Sequence, residues 1–286
     1  MDSWEAQLDL DARAHLGEGP IWDVRSGELL WVDVMAGIVH RYHPASGADR
    51  AFDVGQPVGA VVPRASGGYA FAVQAGFAVG DAGEISVVAP VNDGLDGVRM
   101  NDGACDSAGR FWAGSMHMED RPDGGALYRL AGDEAVTILP NVTISNGIGW
   151  SLDDRTMYYI DTLAWTVDAF DFDPASGEVS NRRTIVSYDG TSGAPDGLVV
   201  DAEDCIWVAL WEGWGVNRYS PDGELIGRVD VPVARVTKPA FGGHDFDDLY
   251  ITTAQPVSPD DRQPHAGSLF KANVGVRGLQ PNVYAG

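Results

Sequence analysis

The chain has 286 residues, 42 of them acidic and 19 basic, for a formal net charge of −23. So acidic a balance excludes nucleic acid, whose phosphates must be met by clustered Lys and Arg, and it excludes an anionic membrane surface. With 44% hydrophobic and 21% charged residues the composition is globular, and a chain this long needs no disulfide or metal staple to hold a core.

Taken in chain order, the apolar residues fall in short runs separated by turns. Met1-Asp2-Ser3-Trp4-Glu5 lacks the basic and apolar stretches of a secretory leader. No later run approaches the ~18 apolar residues of a membrane span, so a cytoplasmic protein is expected. Strand signals follow at Glu28-Leu29-Leu30-Trp31-Val32-Asp33, Gly109-Arg110-Phe111-Trp112-Ala113-Gly114 and Arg155-Thr156-Met157-Tyr158-Tyr159-Ile160. Two more are Cys205-Ile206-Trp207-Val208-Ala209-Leu210 and Asp248-Leu249-Tyr250-Ile251-Thr252-Thr253. Each is rich in aromatic and β-branched residues and follows a turn such as Arg25-Ser26-Gly27 or Asp153-Asp154.

With Ser66-Gly67-Gly68-Tyr69 included, these turns recur near residues 26, 66, 107, 153, 203 and 247, which is 40 to 50 residues apart. That period is the length of a four-stranded propeller blade. Further strands with their own turns follow at Val39 to Gly47, Ala169 to Gly177 and Val216 to Gly223. No stretch of a dozen residues keeps a helical period. The expectation is an all-β chain, a six-bladed β-propeller forming a single domain over residues 1–286, because radial closure leaves few sheet edges. A β-sandwich or barrel does not account for six copies of one strand-turn phrase. The stretch from Trp4 to Asp11 is expected to supply a strand to the last blade and close the ring.

Upstream of the aromatic strands lies a polar register. Glu18, Asn101, Asn146 and Asp196 precede Trp31, Trp112, Tyr158 and Trp207 by 13, 11, 12 and 11 residues, each with a glycine within two positions. The second block has Val58-Gly59 in this place and the sixth has Thr237-Lys238-Pro239. Innermost strands line a propeller's axis, so one register of residues converges there. Two carboxylates and two carboxamides are hard oxygen donors whose charge balances one divalent cation, without the His and Cys that select structural zinc. A lone Asn or Asp beside Gly more often serves a turn; four in register favour a site.

These phrases resemble the SMP-30/gluconolactonase family of six-bladed, regucalcin-like lactonases. The matching stretches are Leu16 to Trp22, Arg99 to Asp102 with Gly109 to Met116, Ser145 to Trp150 with Tyr159 to Thr162, and Pro195 to Leu198; Phe241-Gly242-Gly243 with Leu249 to Thr253 extends the match to the last blade. The resemblance implies one divalent cation, Ca2+, Zn2+, Mn2+, Mg2+ or Fe2+, held by Glu18, Asn146 and Asp196. It implies substrate contacts from Arg99, Asn101 and Glu119. The strand reads Ala113-Gly114-Ser115-Met116 and runs into His117-Met118, small departures from the family's pattern. Trp211 and Trp214 either wall the mouth or pack between blades.

The activity implied is metal-assisted hydrolysis of a neutral sugar lactone, with Asp196 as general base. The alternatives are a calcium-dependent phosphotriesterase-like hydrolase and a non-catalytic metal-binding propeller. Nucleophilic catalysis finds no support. Gly190-Thr191-Ser192-Gly193-Ala194 lacks the closing glycine of a serine elbow, the six histidines are scattered, and Cys105 and Cys205 have no paired spacing.

Overall fold

The computed structural model describes residues 1–91, 96–258 and 261–286. Strands form where the sequence places aromatic and β-branched residues between turns, and among the described residues the only helical element is the 3-10 turn Thr162–Ala164. Six sheets result, each beginning with an inner strand: Gly17–Asp23, Val58–Pro63, Val98–Cys105, Ser145–Trp150, Ala194–Val200 and Val236–Gly242 for blades I to VI. Each inner strand touches the next, and that of blade VI touches that of blade I, so the ring is closed. The fold is a six-bladed β-propeller.

Blades I to V take four consecutive strands each. Blade VI has only three of its own, and Gln7–Leu10 pairs antiparallel with Leu269–Asn273 to complete it. Immediately before it, Asp2–Glu5 pairs parallel with Leu225–Asp230 as a fifth strand of blade V. The N-terminal segment thus divides between two neighbouring blades. Residues 277–285 run from blade to blade, bonding to turns of several of them. Tyr284 bonds to Pro63 and Ala65, the Ala285 amide donates to Gly109 O, and the Ala202 amide donates to Arg277 O.

The core is not one mass. Its buried side chains form layers between neighbouring blades: Trp112 with Trp150 between III and IV, Trp207 with Phe241 between V and VI, and Trp31 beside Leu269 between I and VI. The fully buried Trp31, Trp112 and Trp207 all lie on second strands, the runs whose aromatic content marked them in the sequence.

Two of these tryptophans are anchored by a buried aspartate six residues earlier. Asp201 accepts from Trp207 Nε1 at 2.8 Å, from Arg218 Nε and Nη2 at 2.9 and 2.7 Å, and from the Cys205 amide at 2.9 Å. Asp106 accepts from Trp112 Nε1 at 2.9 Å and from Arg110 Nε at 2.6 Å. Each turn is thereby tied to the inter-blade layer it precedes. Removing one partner of a buried ion pair costs about 3–5 kcal/mol, so Asp201→Ala is expected to lose that much in urea unfolding. A variant within about 1 kcal/mol of the parent contradicts this anchoring.

Candidate functional site

In all six blades the pairing between the inner and second strand slips at the same level. The shifts fall between Glu18 and Ile21, Val58 and Ala60, Met100 and Gly103, Ser145 and Ile148, Pro195 and Leu198, and Val236 and Lys238. A bulge breaks the two-residue alternation of a strand and re-aims the side chains at the break. Glu18, Asn101, Asp102, Asn146, Asp196 and Thr237 occupy these breaks or border them, and all are buried. The neighbouring backbones are close enough that a Cβ on Gly59 would lie 2.2 Å from Asn101 O, and one on Gly197 2.5 Å from Lys238 Cβ. Only glycine allows this approach, and blade II accordingly brings backbone to the axis where its neighbours bring polar side chains.

The two asparagines of the register differ in what they leave free. Asn101 is fully engaged: its Oδ1 accepts from Arg99 Nη1 at 2.6 Å and its Nδ2 donates to Ser145 O at 2.8 Å. Asn146 donates from Nδ2 to Thr162 Oγ1 at 3.0 Å, and its Oδ1 is buried with no partner. Asp196 Oδ1 and Asp102 Oδ2 are likewise buried and without a partner. Glu18 accepts the Gly19 amide on Oε2 at 2.9 Å.

Two residues of the site were given no role by the sequence reading, although Thr237-Lys238-Pro239 was placed in the register. Asp102 is buried beside Asn101, and Lys238 reaches from blade VI to donate to its Oδ1. The available signals were the Asn101-Asp102-Gly103 run and the rarity of lysine, since Lys238 and Lys271 are the only two in the chain.

The electrostatics follow from burial. Glu18 is pushed up to about 7, first by desolvation and then by the Asp102 charge, with Lys238 and Arg99 opposing. Asp196 is raised well above the usual carboxylate range by burial and by Glu18 and Asp102. Burial lowers Arg99 to about 10, still a cation at neutral pH. Carboxylates raised in this way bind a proton or a metal ion in preference to standing bare. Among the described residues no three His, Cys, Asp or Glu side chains form a ready cluster for a metal. A cation here would therefore need the Asn146 carboxamide beside Glu18 and Asp196. The unpartnered Asn146 and Asp196 oxygens fit that role, and hard oxygen donors suit a hard divalent ion.

Glu119 does not join this group. It is exposed and paired with Arg121 at 2.7 Å. Between them, the buried His117 accepts the Glu119 amide on Nδ1 at 3.1 Å. Trp211 carries the Arg235 guanidinium over its ring at 4.6 Å, whereas Trp214 is largely exposed. Cys105 and Cys205 are free, buried thiols, and burial pushes the Cys105 thiol up, which makes it unreactive. Beyond the polar level, residues further along the inner strands, among them Ile21, Val62, Ile148 and Leu198, enclose an axial cavity of about 420 Å³ whose far end is lined by Leu279 to Asn282.

Glu18 titrates near 7 in the folded chain against an ordinary 4.5. Between those values the folded state holds a proton that the unfolded chain has lost, so this group's contribution to stability declines as pH rises through that window. The loss is on the order of 3 kcal/mol. In chelator, Glu18→Gln is therefore expected to gain thermal stability relative to the parent from pH 5 to pH 7.5. A difference between the two proteins that is flat with pH contradicts the burial account.

The profile of the SMP-30/Gluconolactonase/LRE-like region matches residues 16–255. Regucalcin of Danio rerio is 40% identical over 296 residues, covering 100% of both chains, and human regucalcin is 38% identical over 299 residues with the same coverage. Among solved structures, a calcium-binding protein, regucalcin, from Agrobacterium tumefaciens superposes with a TM-score of 0.94 at 28% identity, covering 99% of this chain and 98% of the other. A luciferin-regenerating enzyme gives 0.91 at 27% identity, with 98% and 99% covered. Profile, full-length identity and superposition agree that the chain belongs to the SMP-30/gluconolactonase/LRE-like family.

Proposed function

We propose that the protein is a lactonase that hydrolyses a neutral sugar lactone to its open acid with the aid of one divalent cation at the axis. The observation that carries this reading is the burial, at one level of the ring, of Glu18 and Asp196 beside the unpartnered Asn146 oxygen. Such a set is costly as it stands and suits a hard cation. Glu18, Asn146 and Asp196 hold that ion, and the regucalcin of Agrobacterium tumefaciens is itself described as calcium-binding. When bound, the cation supplies Lewis acidity and stabilises the oxyanion that develops on the lactone carbonyl.

The chain's own groups do the rest. Asp196, buried at the axis, takes a proton from the water that attacks the lactone carbonyl. The same proton then serves the ring oxygen as the acyl–oxygen bond breaks. Arg99, buried but cationic, orients the sugar through its guanidinium. Asn101 clamps Arg99 in turn through the 2.6 Å hydrogen bond, so both are set before substrate arrives. Glu119 contacts substrate in competition with its Arg121 pair.

The direct test is acid release by the metal-stripped protein against a panel of aldonolactones, with each divalent cation restored in turn. Cation-dependent release is expected. Silence across the panel with the cation still bound instead favours phosphotriesters or a binding role without turnover. Asp196→Ala is expected to abolish turnover, at least about 10²-fold in kcat, and an active variant eliminates the general-base role. Arg99→Ala is expected to act mainly on KM, with Glu119→Ala raising KM by a smaller factor. Steady-state kinetics on the three variants checks the order.

A further inference from the structure

We propose that the Lys238–Asp102 ion pair sets the strength of cation binding at the axis, because Lys238 neutralises the charge of a further buried carboxylate beside Glu18 and Asp196. The proposal rests on the reading that Glu18, Asn146 and Asp196 take a divalent cation. Blades I, III, IV and V each bring a carboxylate or carboxamide to the axial level, and blade II brings only backbone at Gly59. Blade VI alone brings an ammonium, one of the two in the chain. Its side chain is buried, and it spans from blade VI to blade III to donate to Asp102 Oδ1.

Asp102 is fixed in place and acts on the ligands through its charge. Its Oδ1 also accepts the Gly103 amide at 2.7 Å, which fixes the carboxylate, while Oδ2 is buried with no partner. It lies within electrostatic reach of both Glu18 and Asp196, as does Lys238. Two carboxylates balance a divalent charge; the charge of a third would overcompensate it and tighten cation binding. The ammonium has two effects of one sign. It neutralises the third carboxylate, and it repels an incoming cation at short range where the dielectric is low. Lys238 therefore weakens and neutralises a site that the carboxylates alone would make tight.

Calorimetric titration of the metal-stripped proteins with Ca2+ at pH 7.5 separates the possibilities. Lys238→Met is expected to bind Ca2+ at least about tenfold more tightly than the parent, because the Asp102 charge is then uncompensated and the repelling ammonium is gone. Asp102→Asn, which leaves the ammonium uncompensated, is expected to bind at least about tenfold more weakly. The double variant should return to within about threefold of the parent. A purely structural pair would weaken binding in both single variants. A parent that binds Ca2+ with Lys238→Met no tighter overturns the inference and leaves the lactonase reading standing. Absence of Ca2+ binding in the parent and all variants overturns both. Should Lys238→Met fail to fold, the other two decide: Asp102→Asn tenfold weaker than the double variant supports the inference, and equal affinities overturn it.

Discussion

Six sheets can share one axis only if their innermost strands come nearly into contact there, and the rest of the molecule is arranged around that crowding. Gly59 and Gly197 have no room for a side chain because the next blade's backbone or Lys238 already fills it. The slip in pairing that every blade shows at this level turns side chains toward the centre that regular alternation would have sent elsewhere. Carboxylates gathered in so confined a volume lose their water, which is why Glu18 and Asp196 hold protons so firmly. The site is a product of ring closure, and its chemistry comes from residues that would be unremarkable on the surface.

The architecture was legible because each blade carries aromatic residues on its second strand. Trp31, Trp112 and Trp207 had to be hidden between sheets, and their turns could be counted. The register upstream of those strands named Glu18, Asn101, Asn146 and Asp196, and all four are buried where the pairing slips. Asp102 was not found, for a physical reason: in a regular strand Asn101 and Asp102 point to opposite faces, so choosing one rejects the other. The shift between Met100 and Gly103 spans both and buries both. The distinct states of Asn101 and Asn146 were also out of reach, since they depend on Arg99 and Thr162 as partners. The crossing by residues 277–285 left no periodic trace because backbone groups largely hold it.

The polar level divides the axis into unlike halves. On one side stand Arg99, His117 and Glu119; on the other is a cavity walled by Ile21, Val62, Ile148 and Leu198. Burial of Glu18, Asp102, Asp196 and Lys238 keeps the local dielectric low, which strengthens every interaction among them. The same surroundings penalise any of these groups left without a counter-charge. The pairing of Asp102 with Lys238 and the proton affinity of Glu18 are two responses to one penalty.

The divided N-terminal segment has a consequence for how the chain reaches this state. Gln7 pairs with Lys271 and Asp2 with Gly227, so the first ten residues find their partners only across more than two hundred intervening positions. Contacts that distant in sequence form late and slow the search. During synthesis blades I to IV can assemble in order from neighbouring strands, while this leading segment waits as unpaired edge. An edge of that kind invites pairing with other chains, and Asp2, Glu5 and Asp9 place negative charge along it. That negative charge guards the segment that must stay single the longest.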